Sequence, residues 1–447
     1  MPQSRPTLAR RLGVSDAVLV VMGGIIGSGI FMNPAVVARY VHTTPLILGV
    51  WGAGGFVALL GAFLFAELGA RRPSNGGLYA YMRDAYHPVV AFMYGWTLLL
   101  VSQSGGMAAA SVTFGNYFEP LTGLHVASWI LPVVTLGLLT IVNCLGVKGG
   151  SITQNIFMLL KIGAIVALIV AGVFFAPGAQ LTAANTQVFS SSFDLLSALG
   201  LAMIPVLFSY SGWQTASFMT GELKNPARTL PLGMIWGVVG VVILYMLVNI
   251  VSVKVLGTAA LAQSHAPASD VMRVILGPLG ARLIALVIAL STLGFLSNQM
   301  LTSPRVYHAM AQDGNFFPQV AWVHPKTRVP MIAIALQGVV AIAIALSGRY
   351  DQILNYVTSV DYIFFGLSAI ALFIFRRRDR NEGAGAAVGF RMPGYPWTTA
   401  LFLIVAWTIV LDVFIKDPRD SLGGLVIIAL GIPVYYGFAR LSRASNG

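Results

Sequence analysis

Two long apolar stretches of this chain are each interrupted by a cluster of helix-breaking residues, and no other feature of the sequence restricts the fold as much. The first interruption is Gly23-Gly24-Ile25-Ile26-Gly27-Ser28-Gly29-Ile30-Phe31 and the second is Phe208-Ser209-Tyr210-Ser211-Gly212-Trp213. A helix broken at membrane depth frees backbone N–H and C=O groups that lipid cannot satisfy, so such breaks persist where they line a cavity or face protein. Interrupted spans at corresponding positions of two chain halves point to the binding site of a membrane transporter. Glycines placed for close helix packing are the competing reading. The polar run Ser209, Tyr210, Ser211 that follows Pro205 weighs toward a site.

Composition supplies the bilayer. The chain has 447 residues, 57% hydrophobic and 9% charged, with a mean hydropathy of +0.81, whereas a soluble domain carries about 25% charged residues. Stretches near the ~20 residues needed to cross occur at 15–38, 46–70, 88–116, 127–146, 152–176, 193–221, 231–256, 281–311, 330–347, 353–375, 397–415 and 421–440. The predicted fold class is therefore all-α, a polytopic membrane protein of twelve transmembrane helices in one transporter domain.

The basic residues orient it. With the N-terminus inside, the cytoplasmic segments hold Arg5, Arg10, Arg11, Arg71, Arg72, Arg83, Lys148, Lys224, Arg228, Arg305, Lys326, Arg328, Arg376, Arg377, Arg378, Arg380, Arg391, Arg440 and Arg443. The external ones hold Arg39, Lys254, Arg273, Arg282, Arg349, Lys416 and Arg419. This positive-inside bias puts both termini in the cytoplasm. The net charge of +12 is scattered through short loops, so nucleic acid is not an expected partner, while membrane lipid is. The apolar run after Arg10-Arg11 is too long for a signal peptide and is broken before any convincing cleavage site. No Asn-x-Ser/Thr sequon occurs, which agrees with a bacterial inner membrane. The longest polar stretches are 177–192, 257–278 and 312–329; the last two are expected to carry short interfacial helices.

Several chemistries are excluded by their missing partners. Gly23 to Gly29 is neither a Rossmann fingerprint, which needs a preceding strand and a later acid, nor a P-loop, which needs Lys-Ser/Thr after the last glycine. One cysteine rules out an internal disulfide framework and a Cys-based metal site. The six histidines form no metal-ligand pair at helical spacing, and no nucleophile–base set is readable. No metal, cofactor or enzymatic activity is expected.

Lys161 lies nine residues into its span, about 13–14 Å along a helix at 1.5 Å per residue. It either snorkels to the interface or faces the interior against carbonyls and hydroxyls, as intramembrane charges usually do at a pathway. Asp361 and Asp412 are weighted toward structural roles, and Glu67 toward an ion pair with Arg71 and Arg72. Span three brings Ser102, Gln103 and Ser104 to similar depth, and span eight Ser297, Asn298 and Gln299. These are helix–helix glue, substrate contacts or partners of Lys161.

At these residues the chain resembles the amino acid–polyamine–organocation transporters, and within them the L-type amino acid transporter family of light-chain kind. The resemblance covers about 12 to 380. Gly24 to Phe31 looks like the family's first-span signature; Ala66-Glu67-Leu68-Gly69, Gly76-Gly77, Tyr79 and Tyr81 resemble its second span and following loop. Asn143-Cys144, Val147-Lys148 and Lys161 resemble its fourth and fifth spans, and Tyr210-Ser211-Gly212-Trp213 with Glu222, Asn225-Pro226 and Arg228 its sixth. Ser291-Thr292-Leu293-Gly294 through Arg305 to Asp313-Gly314 resembles its eighth.

The resemblance implies a five-plus-five inverted repeat, about 15–176 over 193–375, with extra helices at 397–440 and discontinuous first and sixth spans. It implies a sodium-independent secondary transporter of L-α-amino acids, an exchanger working by alternating access. The substrate carboxylate would meet amides of Gly27, Ser28 and Gly29, beside Ile30. Its ammonium would meet carbonyls near Ile25, Phe208, Ser209 and Ser211, with Gly212 and Gln214 in the same site and Phe208 as an aromatic gate. Lys161 would stand where sodium-coupled relatives of the fold hold a sodium ion, with Gln103, Ser104, Ser297 and Asn298 as possible partners. Ser211 and Gln214 depart from the family's usual Gly and Asn, so side-chain selectivity does not carry over. Residues 116–128 lack the cysteine that animal light chains use for a heavy subunit, so no disulfide-linked heavy partner is expected. A proton-coupled importer and a non-transporting nutrient receptor remain the alternatives.

Overall fold

A computed structural model describes residues 12–74, 76–145, 147–176, 191–347, 350–382, 389–416 and 418–446. The basic residues Arg5, Arg10, Arg11 and Arg349 and most of the 177–192 loop lie outside the described residues. The described chain is helical, and its one β-type contact is a bridge in which the Leu12 amide donates to the Glu222 carbonyl at 3.0 Å and the Lys224 amide to that of Leu12 at 3.0 Å.

The helices in chain order are α1 (Val14–Ile25), α2 (Gly29–Val41), α3 (Thr44–Arg71), α4 (Leu78–Ala85), α5 (Pro88–Thr97), α6 (Gln103–Thr122), α7 (Ile130–Cys144), α8 (Val147–Phe174), α9 (Ser192–Tyr210), α10 (Thr215–Phe218), α11 (Pro226–Gln263), α12 (Pro267–Thr302), α13 (Pro304–Gln312), α14 (Met331–Leu346), α15 (Tyr350–Asn381), α16 (Trp397–Lys416) and α17 (Pro418–Asn446). Among the described residues eight helices are long and apolar enough to cross a membrane, or nine if α1 and α2, bent by 45°, form one span. The chain is thus an all-helical polytopic membrane protein. α7 and α14 are shorter than expected, 15 and 16 residues, or about 22–24 Å of helix.

Of the two polar stretches expected to carry short helices, 257–278 is largely helical and 312–329 is not. α11 and α12 run through 257–278 and turn at Gly257 (φ +74) and Gly277 (φ +67), the second followed by Pro278. These left-handed conformations are open to glycine without steric cost, and each lets the chain change direction without a long loop. In 312–329, the end of α13 is followed by a single 3₁₀ turn at Pro318–Ala321.

α11 packs along α1 and α3, α2 against α9, and α12 against α6 and α8. Lipid supplies no hydrophobic drive between apolar helices, so small residues let backbones approach. A Cβ at Gly233 would sit 2.5 Å from that of Ala17, which ties α11 to α1.

The end where α3 and α15 terminate is held by buried charge. Glu67 accepts from Arg71 at 2.6 Å, from Arg376 at 2.7 Å and from the Met392 amide at 2.6 Å. Arg72 does not join Glu67 as expected. It reaches Asp379 at 2.8 Å, which Arg71 also contacts, because the end of α15 brings Asp379 alongside. Nearby, Arg305 pairs with Glu222 at 2.8 Å with both side chains buried. Arg83 pairs with Asp313 at 2.6 Å, and Tyr79 donates to the same carboxylate at 3.0 Å. Burial, with Asp313 adding to it, holds the Tyr79 phenol above its ordinary range.

Candidate functional site

The two breaks meet at one point. α1 ends at Ile25, Ile26 is extended, and α2 resumes at Gly29. α9 ends at Tyr210, Ser211 is extended and Gly212 has φ +119. A Cβ on Gly212 would lie 2.1 Å from the Gly24 carbonyl oxygen, and one on Gly24 would lie 2.7 Å from the Gly212 oxygen. The broken helices therefore cross backbone to backbone. Gly29 lies equally close to Ser209, with 2.7 Å from its built Cβ to the hydroxyl oxygen.

Beside this crossing lies a cavity of about 80 Å³. Of the expected binding residues, Ile25, Gly27, Ser28, Gly29, Phe208, Ser209, Ser211, Gly212 and Gln214 line it. Ile30 does not; it is fully buried in the packing of α2. The Gly27 amide donates to the Tyr245 hydroxyl, while those of Ser28 and Gly29 find no acceptor among the described residues. They stand at the start of α2, where the first-turn donors are unpaired and the helix dipole is positive. That arrangement suits an anionic group.

The carbonyl side is partly taken. The Ile25 carbonyl accepts from the Tyr245 hydroxyl at 3.2 Å, and that of Phe208 from the Ser211 amide at 3.2 Å. Each oxygen keeps a second lone pair. Gln214 lines the cavity with its carbonyl oxygen engaged: Oε1 accepts from the Gly212 amide at 3.2 Å and so caps the break. Ser209 is engaged as well, donating to the Pro205 carbonyl at 2.7 Å while Asn33 of α2 donates to its hydroxyl at 2.7 Å. Asn33 also reaches the Pro205 carbonyl at 2.9 Å. This clamp between the two broken helices was not foreseen, because nothing in the sequence pairs Asn33 with α9.

Lys161 is interior, 1% exposed, and its Nζ donates to the Ile26 carbonyl. The partner is a backbone carbonyl in the first break. A Cβ on Gly294 of α12 would lie 3.6 Å from Lys161 Cε, so the lysine stem runs between α1 and α12. None of the polar side chains proposed as its partners hydrogen-bonds to it. Asn298 donates to the Val20 carbonyl at 2.9 Å, binding α12 to α1. Ser104 and Ser297 are buried outside the cavity lining, and their hydroxyls have no hydrogen-bond partner. Gln103 does line the cavity and accepts from Ser303 at 3.0 Å.

Asp361 is the residue the sequence reading undervalued. It is 9% exposed, lines the cavity and accepts a 2.6 Å hydrogen bond from Ser102. A one-turn π-helix at Leu98–Ser102 precedes α6, and both residues at the junction, Ser102 and Gln103, reach the cavity. Such π segments recur at functional sites. Phe295 and Gln299 of α12 complete that wall. The signal for Asp361 was available, since a carboxylate inside an apolar span is a site hypothesis by default. Among the described residues no group of His, Cys, Asp and Glu is gathered to hold a metal ion.

Comparison with known proteins bears on this geometry. The chain is 30% identical to the serine/threonine exchanger SteT of Bacillus subtilis over 97% of its own length and 98% of that protein. It is 28% identical to the b(0,+)-type amino acid transporter 1 of Mus musculus, covering 98% and 91% of the two chains. Against the large neutral amino acids transporter small subunit 2 of Homo sapiens the figures are 27%, 96% and 80%. The profile of the amino acid permease family matches residues 12–438. With that match running from Leu12 to Phe438 and a 30% identical relative covered almost end to end, the chain belongs to the amino acid permease family of the amino acid–polyamine–organocation superfamily.

Proposed function

We propose that this protein is a sodium-independent exchanger of L-α-amino acids that works by alternating access in a bacterial inner membrane. The observation that carries the reading is the pair of unsatisfied amides at Ser28 and Gly29 facing a cavity that the second break also lines. An α-carboxylate fits the amides and the start of α2. An α-ammonium fits the carbonyls of the Phe208–Ser211 side, with Phe208, half-buried at the cavity wall, as the gate.

The Lys161 ammonium at the Ile26 carbonyl supports sodium independence, since it places a fixed cation at the first break. In this reading the chain has twelve spans, in repeats of about 15–176 and 193–375 with further helices at 397–440. Both termini are cytoplasmic, as the distribution of basic residues favours. It works without a disulfide-linked heavy subunit: Cys144 sits at the end of α7, half-buried against the Met331 carbonyl at 3.7 Å.

The test is uptake of a panel of labelled amino acids into proteoliposomes. Vesicles preloaded with unlabelled amino acid should take up label, empty ones should not, and replacing sodium by choline should change nothing. Uptake into empty vesicles driven by a pH gradient would assign a proton-coupled importer. Saturable binding with no flux in any condition would assign a receptor.

A further inference from the structure

A second cavity, of about 550 Å³, opens at the end where α3 and α15 terminate and the chain turns into α16. Five guanidinium groups line it, those of Arg71, Arg376, Arg377, Arg380 and Arg391, with one carboxylate, Asp379. The charge there is not balanced. Asp379 is shared by Arg71 and Arg72, and Glu67 by Arg71 and Arg376. Two carboxylates therefore serve three arginines, while the exposed side chains of Arg377 and Arg380 have no carboxylate partner among the described residues. The intervening 383–388 segment contains no acidic residue in the sequence. Arg378, on the same helical turn, points away and donates to the Asp84 carbonyl at 2.6 Å.

The rest of the wall is aromatic. The rings of Phe373 and Tyr395 lie 5.3 Å apart, and the Arg376 guanidinium lies over Tyr395 at 3.7 Å from the ring centre. Trp397, which opens the membrane-crossing helix α16, is 80% exposed. Aromatic side chains with one wet edge mark headgroup level, and guanidinium forks match phosphate oxygens in geometry as well as charge. Basic pockets between spans on the cytoplasmic side suit anionic headgroups. We propose that this cavity binds a phosphate-bearing anion, presented by the membrane as the phosphodiester of an anionic phospholipid. The site is separate from the substrate cavity, and the inference does not depend on what that cavity transports.

The test uses the full-length chain in detergent, titrated with short-chain phosphatidylglycerol and phosphatidylcholine of equal tail length, with inorganic phosphate and glycerol 3-phosphate as soluble arms. Phosphatidylglycerol should bind saturably and about tenfold or more tighter than phosphatidylcholine, weakening as salt is raised. The double variant Arg377→Gln/Arg380→Gln removes two exposed charges that hold no buried contact, so it should fold normally and lose about tenfold in phosphatidylglycerol affinity. Arg378→Gln removes one charge from the same helix end, turned away from the cavity, and should stay within about threefold of the parent. Equal affinity for the two lipids, native affinity in the double variant, or an equal loss in Arg378→Gln would overturn the site. Binding of the soluble phosphates without any of phosphatidylglycerol would overturn the lipid source.

Discussion

Replacing Gly212 by alanine tests whether the crossing of the broken helices is the structural basis of the substrate cavity. The new Cβ would lie 2.1 Å from the Gly24 carbonyl oxygen, 2.5 Å from its carbon and 3.0 Å from the Ile25 amide. Carbon–oxygen contacts settle at about 3.3 Å or more, so the two chains must part by about 1.2 Å. The side chain must also hold φ at +119. Overpacking of this kind costs about 1–3 kcal/mol, and a strained backbone conformation about 1–3 more. At 1.4 kcal/mol per decade, even the low end exceeds a tenfold change.

Gly27→Ala is the control inside the same motif. Its Cβ would meet only the Phe295 ring at 3.6 Å, an ordinary contact, and its amide is kept. In reconstituted exchange, with substrate-dependent thermal stabilisation as the binding readout, Gly212→Ala should lose more than about tenfold in affinity. Gly27→Ala should stay within about two- to threefold. A monodisperse Gly212→Ala protein that exchanges at the native rate would refute the reasoning, because the crossing would then not set the cavity.

Three further outcomes follow from named contacts. Lys161→Ala strips the cation from the Ile26 carbonyl and should abolish exchange in a protein that still elutes as a single species; native-rate exchange would return Lys161 to a packing role. Asp361→Asn keeps the volume and the Ser102 contact but removes the carboxylate from the cavity wall, so preference for cationic over neutral side chains should fall by about tenfold or more. An unchanged ratio in a competition panel would show that the charge does not read the substrate. Arg305→Met leaves buried Glu222 unpaired and should cost about 3–5 kcal/mol in thermal or denaturant unfolding, with Arg305→Met/Glu222→Met regaining much of it.

The positions of the helices were legible because spanning a bilayer is a length-and-polarity requirement that the chain itself displays. Their neighbours were not. α3 is apolar nearly all round, and a helix without a polar stripe does not say which face meets which partner. Hence Arg72 was assigned to Glu67, its nearest acid in sequence, when Asp379 sits against it at the end of α15. Ser104 and Ser297 stayed open between packing, substrate contact and partnership with Lys161, because depth alone does not separate these and one helical position decides between lining and packing. Ser102 and Gln103 reach the cavity from the end of a π segment, a local winding that the sequence 98–103 does not announce.

The glycines of the first motif were open to two readings, packing or ligand site, and the structure divides them residue by residue. Gly24 is required by packing, since a side chain there would strike Thr215 and the Gly212 carbonyl. Gly29 is required by packing against Ser209 while its amide remains unpaired. Gly27 has room for a side chain, so its contribution is the turn and an amide that holds the Tyr245 hydroxyl at the break. The readings are coupled because the crossing leaves amides unsatisfied: Gly24 of α1 and Gly212, just past the end of α9, approach so closely that the chain must leave helical geometry on both sides. A substitution that relaxes the crossing therefore repairs helix geometry and removes the anion site together. That is why stability and binding should move in opposite directions for any variant that lets α1 continue unbroken into α2.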